Sequence, residues 1–342
     1  MKNSYSLRYP HPVLLSSKLK RKKIVEIVIN DNKFTLFRNK VNKPQAVPSA
    51  CPHRGANLAK GKLNKNFELI CPYHAWKINH KGIASSPSAP KRVCKIHNLK
   101  TWEKYGVIWV ANEDTTEKFP DFMEDNFSLV GKFSQKFEAP INVVIDNFSE
   151  IEHAFKVHRF IGSDKKDLHT VNFSVSIEEE ETKGISSGKY RKQPFIFRKL
   201  FGIEKGDYYH NDWSFKFKPL NASYRNYWTN KTGNKVRSNQ YIITTFFTPI
   251  TSNKVDIFVF VQMSIKNKLL RKIKSILSFF TVMVTKYEIW EDAKIARFAP
   301  EKPEENTSWK LTSFDKQIFH NRKKAERIYF GIQEKNTIAE EV

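Results

Sequence analysis

Two short segments containing cysteine and histidine constrain this chain more than any other feature of its sequence. Cys51-Pro-His53 and Cys71-Pro-Tyr-His74 are separated by seventeen residues. Thiolate and imidazole groups at this spacing are typical of metal binding. A structural zinc site usually opens with a pair of cysteines, whereas each segment here supplies one cysteine and one histidine. The pattern therefore favours an iron–sulfur cluster in which two cysteines bind one iron and two histidines bind the other.

The segments CPHRG and CPYHAW resemble the cluster loops of the Rieske [2Fe–2S] family, and Tyr105-Gly-Val-Ile-Trp109-Val resembles the strand that follows those loops. The resemblance implies four cluster ligands: Cys51, His53, Cys71 and His74. The chain departs from the family at Ala75, where the family usually has glycine, but this change removes no ligand. The third cysteine, Cys94, lies outside the motif, and we expect it to be a small apolar packing residue.

A second group of histidines and carboxylates lies between residues 146 and 158, in the sequence DNFSEIEHAFKVH. Asn147, Glu150 and His153 are three residues apart, so a regular helix would place them on one face. His158 follows His153 by five residues, a rotation of about 140° on a helix. Both rings can reach one metal only if the helix widens or ends between them. Two histidines beside a carboxylate make a candidate 2-His-1-carboxylate iron site.

Beside the first motif, this pattern resembles the catalytic-domain signature of the Rieske non-haem iron oxygenase α subunits, in particular the vanillate-demethylase-like branch. The resemblance implies that His153, His158 and Asp292 bind a mononuclear Fe(II), with Asp292 on a late helix. Glu288 and Glu291 are the neighbouring alternatives to Asp292.

The same resemblance assigns roles to two further residues. Glu150 stands where the family has an aspartate, and it would link His153 to His74 of a neighbouring subunit. Such contacts imply a closed ring of subunits, in the family commonly a homotrimer. Asn147 would lie close to the iron and support its ligands.

The predicted fold class is α+β. Short β-rich segments such as Ile24–Ile29 and Val107–Ala111 predict an all-β Rieske domain over residues 1–115. The polar stretch Glu113–Pro120 marks the boundary to a catalytic domain over residues 121–342. The pattern there predicts a helix over Asp146–Phe160, then strands, then helical blocks over Leu269–Phe298 and Phe314–Ile328. The resemblance implies a helix-grip (Bet v1-like) fold for this domain.

Charge and hydropathy exclude several classes of protein. The chain carries 59 Lys and Arg against 35 Asp and Glu, a net charge of +24. These basic residues are dispersed and accompany no nucleic-acid-binding motif, so we expect no nucleic-acid partner and favour an anionic protein or substrate. No apolar stretch approaches the ~20 residues of a transmembrane segment. Three cysteines without a secretory signal predict a cytoplasmic protein.

The resemblance implies a terminal oxygenase that uses O₂ and electrons from a separate reductase or ferredoxin. It would act as a monooxygenase or dioxygenase that hydroxylates, or oxidatively demethylates, a largely apolar, aromatic or cyclic substrate. We expect the phenylalanine-rich segments Pro194–Phe201 and Tyr241–Phe247 to form the walls of the substrate pocket. Two alternatives remain open: an electron carrier with a vestigial iron site, and a basic interaction protein with structural metals.

Overall fold

The computed structural model describes residues 5–237, 239–265, 271–304 and 308–331. The chain divides into two compact units. The first comprises Met1–Pro120 with Thr248–Ser252, and the second comprises Asp121–Phe247 with Asn253–Val342. The mixed class, with a β-rich N-terminal part followed by strands and helices, confirms the predicted α+β fold.

The first unit is built from three small sheets, ordered β1-β11-β10, β2-β3-β4 and β5-β6-β7-β8-β9. In the described part of this unit, a short 3₁₀ helix (Tyr5–Arg8) precedes the first strand, and two others, Ser16–Lys18 and Leu58–Lys60, lie between strands. The strands are β1 (His11–Leu15), β2 (Ile24–Ile29), β3 (Asn32–Arg38), β4 (Pro44–Pro48), β5 (Lys62–Leu63), β6 (Leu69–Ile70), β7 (Lys77–Ile78), β8 (Ile83–Ser85), β9 (Val93–Lys95), β10 (Lys100–Lys104) and β11 (Val107–Ala111).

Alternation along β3 gives this unit two hydrophobic cores. Phe34 and Leu36 belong to one cluster of buried side chains, whereas Phe37 belongs to a second cluster. Successive side chains of a strand point to opposite faces, so one strand contributes to both cores. The second core includes Cys51 and Cys71, and the two cluster loops are therefore anchored in packed hydrophobic structure.

The second unit is dominated by one seven-stranded sheet, ordered β12-β18-β17-β16-β15-β14-β13. Nearly every side chain of β17 and β18 is buried, so these strands form the centre of the core. The strands are β12 (Ser128–Phe137), β13 (Asn172–Ile177), β14 (Glu181–Lys189), β15 (Tyr208–Phe217), β16 (Leu220–Thr229), β17 (Asn239–Thr251) and β18 (Lys254–Ile265).

The α-helices that lie wholly within the described residues of this unit are α1 (Ile141–Ser149), α2 (Glu152–Lys156), α3 (Phe195–Phe201), α4 (Lys274–Ala296) and α5 (Ile318–Ala325). A 3₁₀ helix covers Lys165–Thr170, and a π-helical turn, Glu326–Phe330, follows α5. The long helix α4 packs against β12 and β18. A Cβ at Gly131 of β12 would lie 2.2 Å from the Val282 side chain, so glycine permits this close approach.

One of the helix predictions needs correction. The single helix predicted over Asp146–Phe160 is wrong, because α1 ends at Ser149 and a separate short helix, α2, ends at Lys156. The predicted block over Leu269–Phe298 corresponds to α4, although residues 269 and 270 lie outside the described residues. Within the described chain, no helix has the length and hydropathy to cross a membrane.

Candidate metal centres and active site

The two predicted cluster loops have the same backbone hydrogen-bond pattern. The Cys51 amide donates to Ala56 O at 2.9 Å, and the Cys71 amide donates to Trp76 O at 2.8 Å. Within each loop, the residue four after the cysteine donates back to the cysteine carbonyl. The two CP-containing segments therefore form two equivalent turns.

These turns bring all four predicted ligands together. The Cys51 and Cys71 side chains are buried and adjacent, whereas the rings of His53 and His74 lie further out, with centroids 4.7 Å apart. Burial and the adjacent Cys71 raise the pKa of the Cys51 thiol to about 11. A buried thiolate pair is thus favoured only beside a cation, which a [2Fe–2S] cluster provides. An inner cysteine pair and an outer histidine pair fit that cluster.

Electrostatics also favour His74 as a neutral ligand. Desolvation, His53 and Arg54 together lower the pKa of His74. A metal-bound imidazole must be deprotonated at the coordinating nitrogen, so this shift favours the ligating form. Tyr73 packs on the His74 ring and is itself largely exposed, which places this edge of the loop at the surface of the first unit.

Ala75, the position where the family usually has glycine, adopts a left-handed backbone conformation with φ of 54°, and its counterpart Gly55 has φ of 74°. In this region the Cβ atom of alanine lies too close to the backbone, which is unfavourable, whereas glycine has no Cβ atom. We expect Ala75→Gly to raise the free energy of unfolding of the first unit by about 0.5–1 kcal/mol. The effect is measured by thermal unfolding, which is monitored through the loss of absorbance of the cluster. The matched change Gly55→Ala should lower stability by a similar amount, and an Ala75→Gly protein no more stable than the parent would contradict this reasoning.

Glu150 is the C-cap of α1 and lies two residues before the start of α2. Its backbone is extended, and its carboxylate accepts hydrogen bonds from the backbone N–H groups of Glu152 and His153, the latter at 3.1 Å. The other carboxylate oxygen pairs with Nδ1 of His153. The glutamate side chain therefore satisfies free amides at the start of α2 and orients the His153 ring at the same time.

The three predicted iron ligands meet in the second unit. One ligand atom each from His153, His158 and Asp292 lies within 4.8 Å of the others. Oδ1 of Asp292 is 2.9 Å from Nε2 of His158 and 3.4 Å from Nε2 of His153. The helix ends at Lys156, between the two histidines, as their spacing requires. Two imidazoles and one carboxylate converging on one point fit a mononuclear Fe(II).

The charges at this point favour a bound cation. Burial by itself lowers the pKa of His153, but the carboxylates of Glu150 and Asp292 reverse this effect and raise it well above its usual value. Burial by itself would raise the pKa of Asp292, but the His158 and His153 rings lower it below its usual range. The carboxylates therefore favour positive charge at this point, which a divalent ion bound by the same residues would supply.

Two buried charged side chains fix the loop that carries His158. The Glu288 carboxylate accepts the backbone N–H groups of Arg159, at 3.1 Å, and Phe160, at 2.6 Å. The guanidinium of Arg191 donates to the carbonyls of Ala154, His158 and Ser163. Glu288 is thus occupied in holding this loop.

Glu291, the other alternative to Asp292, forms an ion pair with Lys294 at 3.1 Å. Glu288 is engaged with backbone amides, so Asp292 is the carboxylate of α4 that lies against the two histidines. The structure therefore brings together the three residues that the sequence singled out.

The three residues border a cavity within the second unit whose empty space, including its opening to solvent, is about 810 Å³. Its lining is mainly apolar, with a few polar groups from the sheet, among them Tyr209, Asn211 and Asn226. The Asn147 side chain lines the same cavity, and its Oδ1 is buried without a hydrogen-bond partner among the described residues. Oδ1 of Asn211 is likewise buried without a hydrogen-bond partner among the described residues. These acceptors can bind a hydrogen-bond donor of a small molecule.

The predicted walls of the pocket are partly wrong. Of the segment Tyr241–Phe247, Ile243 borders the cavity, whereas none of the described side chains of Pro194–Phe201 does. Phe197 and Phe201 instead line a separate small cavity. The roles of Glu288 and Arg191 could not be predicted from the sequence. Both side chains form hydrogen bonds with backbone groups, and such contacts leave no pattern of residue types in the sequence.

Comparisons with known proteins agree with this geometry. Residues 10–103 match the family model of the Rieske [2Fe–2S] domain. Chlorophyllide a oxygenase of Oryza sativa subsp. japonica is 26% identical over 152 residues, which cover 43% of this chain and 28% of that protein. Cholesterol 7-desaturase nvd 1 of Ciona intestinalis is 25% identical over 153 residues, which cover 42% of this chain and 33% of that protein. The chain thus spans about a third of the length of these relatives.

Dicamba monooxygenase bound to 3,6-dichlorosalicylic acid has the same fold, with a TM-score of 0.76 at 16% identity. The match covers 96% of this chain and 98% of that one. The N-terminal part of the chain is therefore a Rieske [2Fe–2S] domain, and the whole chain has the fold of a Rieske oxygenase. The resemblance to the Rieske non-haem iron oxygenases, first suggested by the motifs, is confirmed.

Proposed function

We propose that this chain is a terminal oxygenase that uses O₂ and electrons from a separate reductase or ferredoxin to hydroxylate or oxidatively demethylate a cyclic organic substrate. The observation that carries the proposal is the occurrence of two complete ligand sets in one chain. Cys51, Cys71, His53 and His74 fit the Rieske cluster, and a 2-His-1-carboxylate set opens onto the cavity of about 810 Å³. An electron carrier needs only the first set, so the intact second set disfavours the carrier alternative.

The residues divide the chemistry between them. When bound, the cluster would supply electrons one at a time, and the mononuclear iron would offer open positions for O₂ beside the substrate. His153, His158 and Asp292 would hold that iron. Glu150 would keep Nδ1 of His153 paired, which leaves Nε2 as the coordinating nitrogen. The apolar lining of the cavity excludes bulk water from the substrate.

The composition of the cavity supports an uncharged substrate. Three carboxylates, Glu150, Glu288 and Asp292, are part of its lining, and no lysine or arginine from the described chain lines it. An anionic group would therefore lie next to like charge, with no lysine or arginine of the described lining to pair with it and only the bound metal ion as a cation. The polar acceptors Asn147 and Asn211 suit a hydroxyl or N–H group on an otherwise apolar ring system. The names of the two relatives, a sterol desaturase and a chlorophyllide oxygenase, are compatible with a large cyclic substrate.

A screen with neutral cyclic substrates tests this function directly. The purified chain, a compatible ferredoxin and its reductase are incubated with each compound, and hydroxylated product or formaldehyde is measured against O₂ consumed. The expected result is product formation with uncharged ring compounds, with the corresponding carboxylic acids turned over much more slowly. Equal turnover of an acid and its neutral analogue would contradict the assignment of an uncharged substrate.

Glu150 supports a second element of the proposal, a homotrimer in which Glu150 lies between His153 and His74 of a neighbouring subunit. Its carboxylate already pairs with Nδ1 of His153 and with two backbone amides. One oxygen has an acceptor position left, which could take the N–H of a second imidazole. His74 belongs to the exposed edge of the first unit, as such a contact requires.

Glu150→Gln keeps the length of the side chain but removes its charge. We expect the rate of electron transfer from cluster to iron to fall by more than about tenfold, because the carboxylate no longer fixes the imidazole rings. Both metals should remain bound, since no ligand is lost. In a single-turnover experiment the cluster is reduced, substrate and O₂ are added, and reoxidation of the cluster is followed optically.

Two variants bracket this experiment. Glu150→Asp restores the residue found in the family and should give partial activity on this backbone. Glu152→Gln changes a neighbouring carboxylate that accepts a hydrogen bond from the Thr312 hydroxyl, and it should leave the rate unchanged. If Glu150→Gln reoxidises its cluster at the wild-type rate, Glu150 does not couple the two metals.

A further inference from the structure

Helix α4 departs from the pattern of an ordinary helix packed on a protein core, because four of its eight buried residues are polar. Its buried face carries polar side chains, including Thr281, Thr285, Glu288 and Asp292. The threonine hydroxyls donate to carbonyls one turn back, and the two carboxylates serve the loop and the metal site. A packed helix normally buries its apolar stripe and exposes its charges.

Leu277 and Ile289 are buried with these polar groups, but several other large apolar side chains of α4 lie on its outer face. Five of them are 39–61% exposed, and they form what we call the α4 stripe: Ile276, Phe279, Phe280, Met283 and Trp290. Their spacing of three and four residues places them along one side of the helix, with the half-buried Tyr287 between Met283 and Trp290. The stripe extends over about 21 Å of helix. Large apolar patches of this kind mark surfaces that bind a partner or a membrane.

A second aromatic segment lies beside the stripe. The ring of Phe197 in α3 stacks on Phe160 at 5.4 Å, and Phe160 contacts Tyr287 of α4 at 6.0 Å. In the same helix α3, Phe195 is 63% exposed, and the cationic groups of Arg198 and Lys199 lie over its ring. Helix α3 thus adds to this side of the unit another exposed aromatic ring, which is covered by an arginine and a lysine side chain.

The border of the stripe is cationic. Arg271, Lys272 and Lys274 precede it and are exposed, and Lys286 and Arg297 are exposed further along. Residues 266–274, KNKLLRKIK, include five basic residues in the sequence. No acidic side chain between residues 271 and 298 is exposed, because Glu288 and Asp292 are buried and Glu291 is paired with Lys294. The whole outer face of α4 therefore combines apolar side chains with uncompensated positive charge.

We propose that the α4 stripe, with α3 beside it, binds the surface of a bilayer that contains anionic phospholipids. Aromatic and aliphatic side chains on one face, bordered by lysine and arginine, are the features of an interfacial helix. The acyl boundary would take up the apolar side chains, and lipid phosphates would neutralise the cations around them. A symmetric contact between two copies of this face would instead bring the basic borders together, so charge complementarity favours the lipid surface.

Sedimentation with large vesicles tests this proposal on the purified holoprotein, and it does not depend on oxygenase activity. We expect binding to vesicles of phosphatidylcholine with about one third phosphatidylserine, and weak binding to phosphatidylcholine alone. Combined replacement of Phe279 and Phe280 by serine should lower the partition coefficient by about tenfold or more, because two exposed phenyl rings are lost from the contact. Reversal of Arg271 and Lys272 to glutamate should lower it by more than about tenfold.

The matched control is Phe319→Ser on α5, which removes a phenyl ring that is 51% exposed but lies outside the stripe. This variant should bind anionic vesicles as the parent does, and all variants should retain the cluster spectrum. Absence of sedimentation with the anionic vesicles at low salt would overturn the proposal. Dissociation of an oligomer by the Phe279 and Phe280 changes, without any effect on lipid binding, would equally overturn it by assigning the stripe to a subunit contact.

Discussion

Replacement of Asp292 by alanine is expected to remove the mononuclear iron and to lower product formation by more than about a hundredfold. Loss of a group that merely orients a metal ligand already costs about 10- to 100-fold, and Asp292 supplies a ligand atom itself. Its Oδ1 is 2.9 Å from Nε2 of His158 and 3.4 Å from Nε2 of His153, so its removal leaves two imidazoles without the carboxylate that completes the set. Iron content and product yield are the measurements.

The Rieske cluster of this variant should remain reducible, because its four predicted ligands lie in the other unit of the chain. Glu291→Ala is the matched control, since Glu291 is on the same helix and pairs with Lys294. It should retain both iron and activity. An Asp292→Ala protein with full activity would show that another carboxylate holds the metal.

Replacement of Cys51 by serine, or of His74 by alanine, is expected to abolish the cluster and with it all turnover. Serine lacks the thiolate that the cluster needs, and alanine leaves one iron without its imidazole. The visible absorbance of the oxidised cluster and the EPR signal of the reduced centre should both be lost. Mononuclear iron bound by His153, His158 and Asp292 should persist in these variants, which separates the two sites.

Cys94→Ser provides the control for this experiment. Cys94 lies on β9, outside both cluster loops, and is partly buried. The variant should keep the full absorbance of the cluster. Loss of the cluster in Cys94→Ser, or its survival in Cys51→Ser, would contradict the ligand assignment.

The sequence predicted those parts of the site whose chemistry is local. The four predicted cluster ligands lie in two short loops, and each loop closes on its own backbone hydrogen bonds, so residue type and spacing were sufficient to predict that these residues come together. The spacing of His153 and His158 also required a helix end between them, which α2 provides. Asp292 lies 134 residues from His158 in the sequence, and the family resemblance alone singled it out.

Other features depend on tertiary structure that periodicity does not report. The break between α1 and α2 arises because Glu150 turns its carboxylate onto the amides of Glu152 and His153, where the pattern predicted one continuous helix. Hydrophobic spacing in α4 would ordinarily predict that Phe280 and Met283 are buried, yet they are exposed. The buried face of α4 carries Glu288 and Asp292 because the loop and the metal site require them there.

Metal analysis of the purified chain, combined with EPR of the reduced protein, tests the central claim most directly. An oxygenase with both sites should contain about three irons per chain, two in the cluster and one mononuclear. The reduced protein should show the signal of a Rieske centre. About two irons per chain would indicate an electron carrier without a mononuclear iron. A colourless protein with tetrahedral zinc would contradict the assignment of both metal sites.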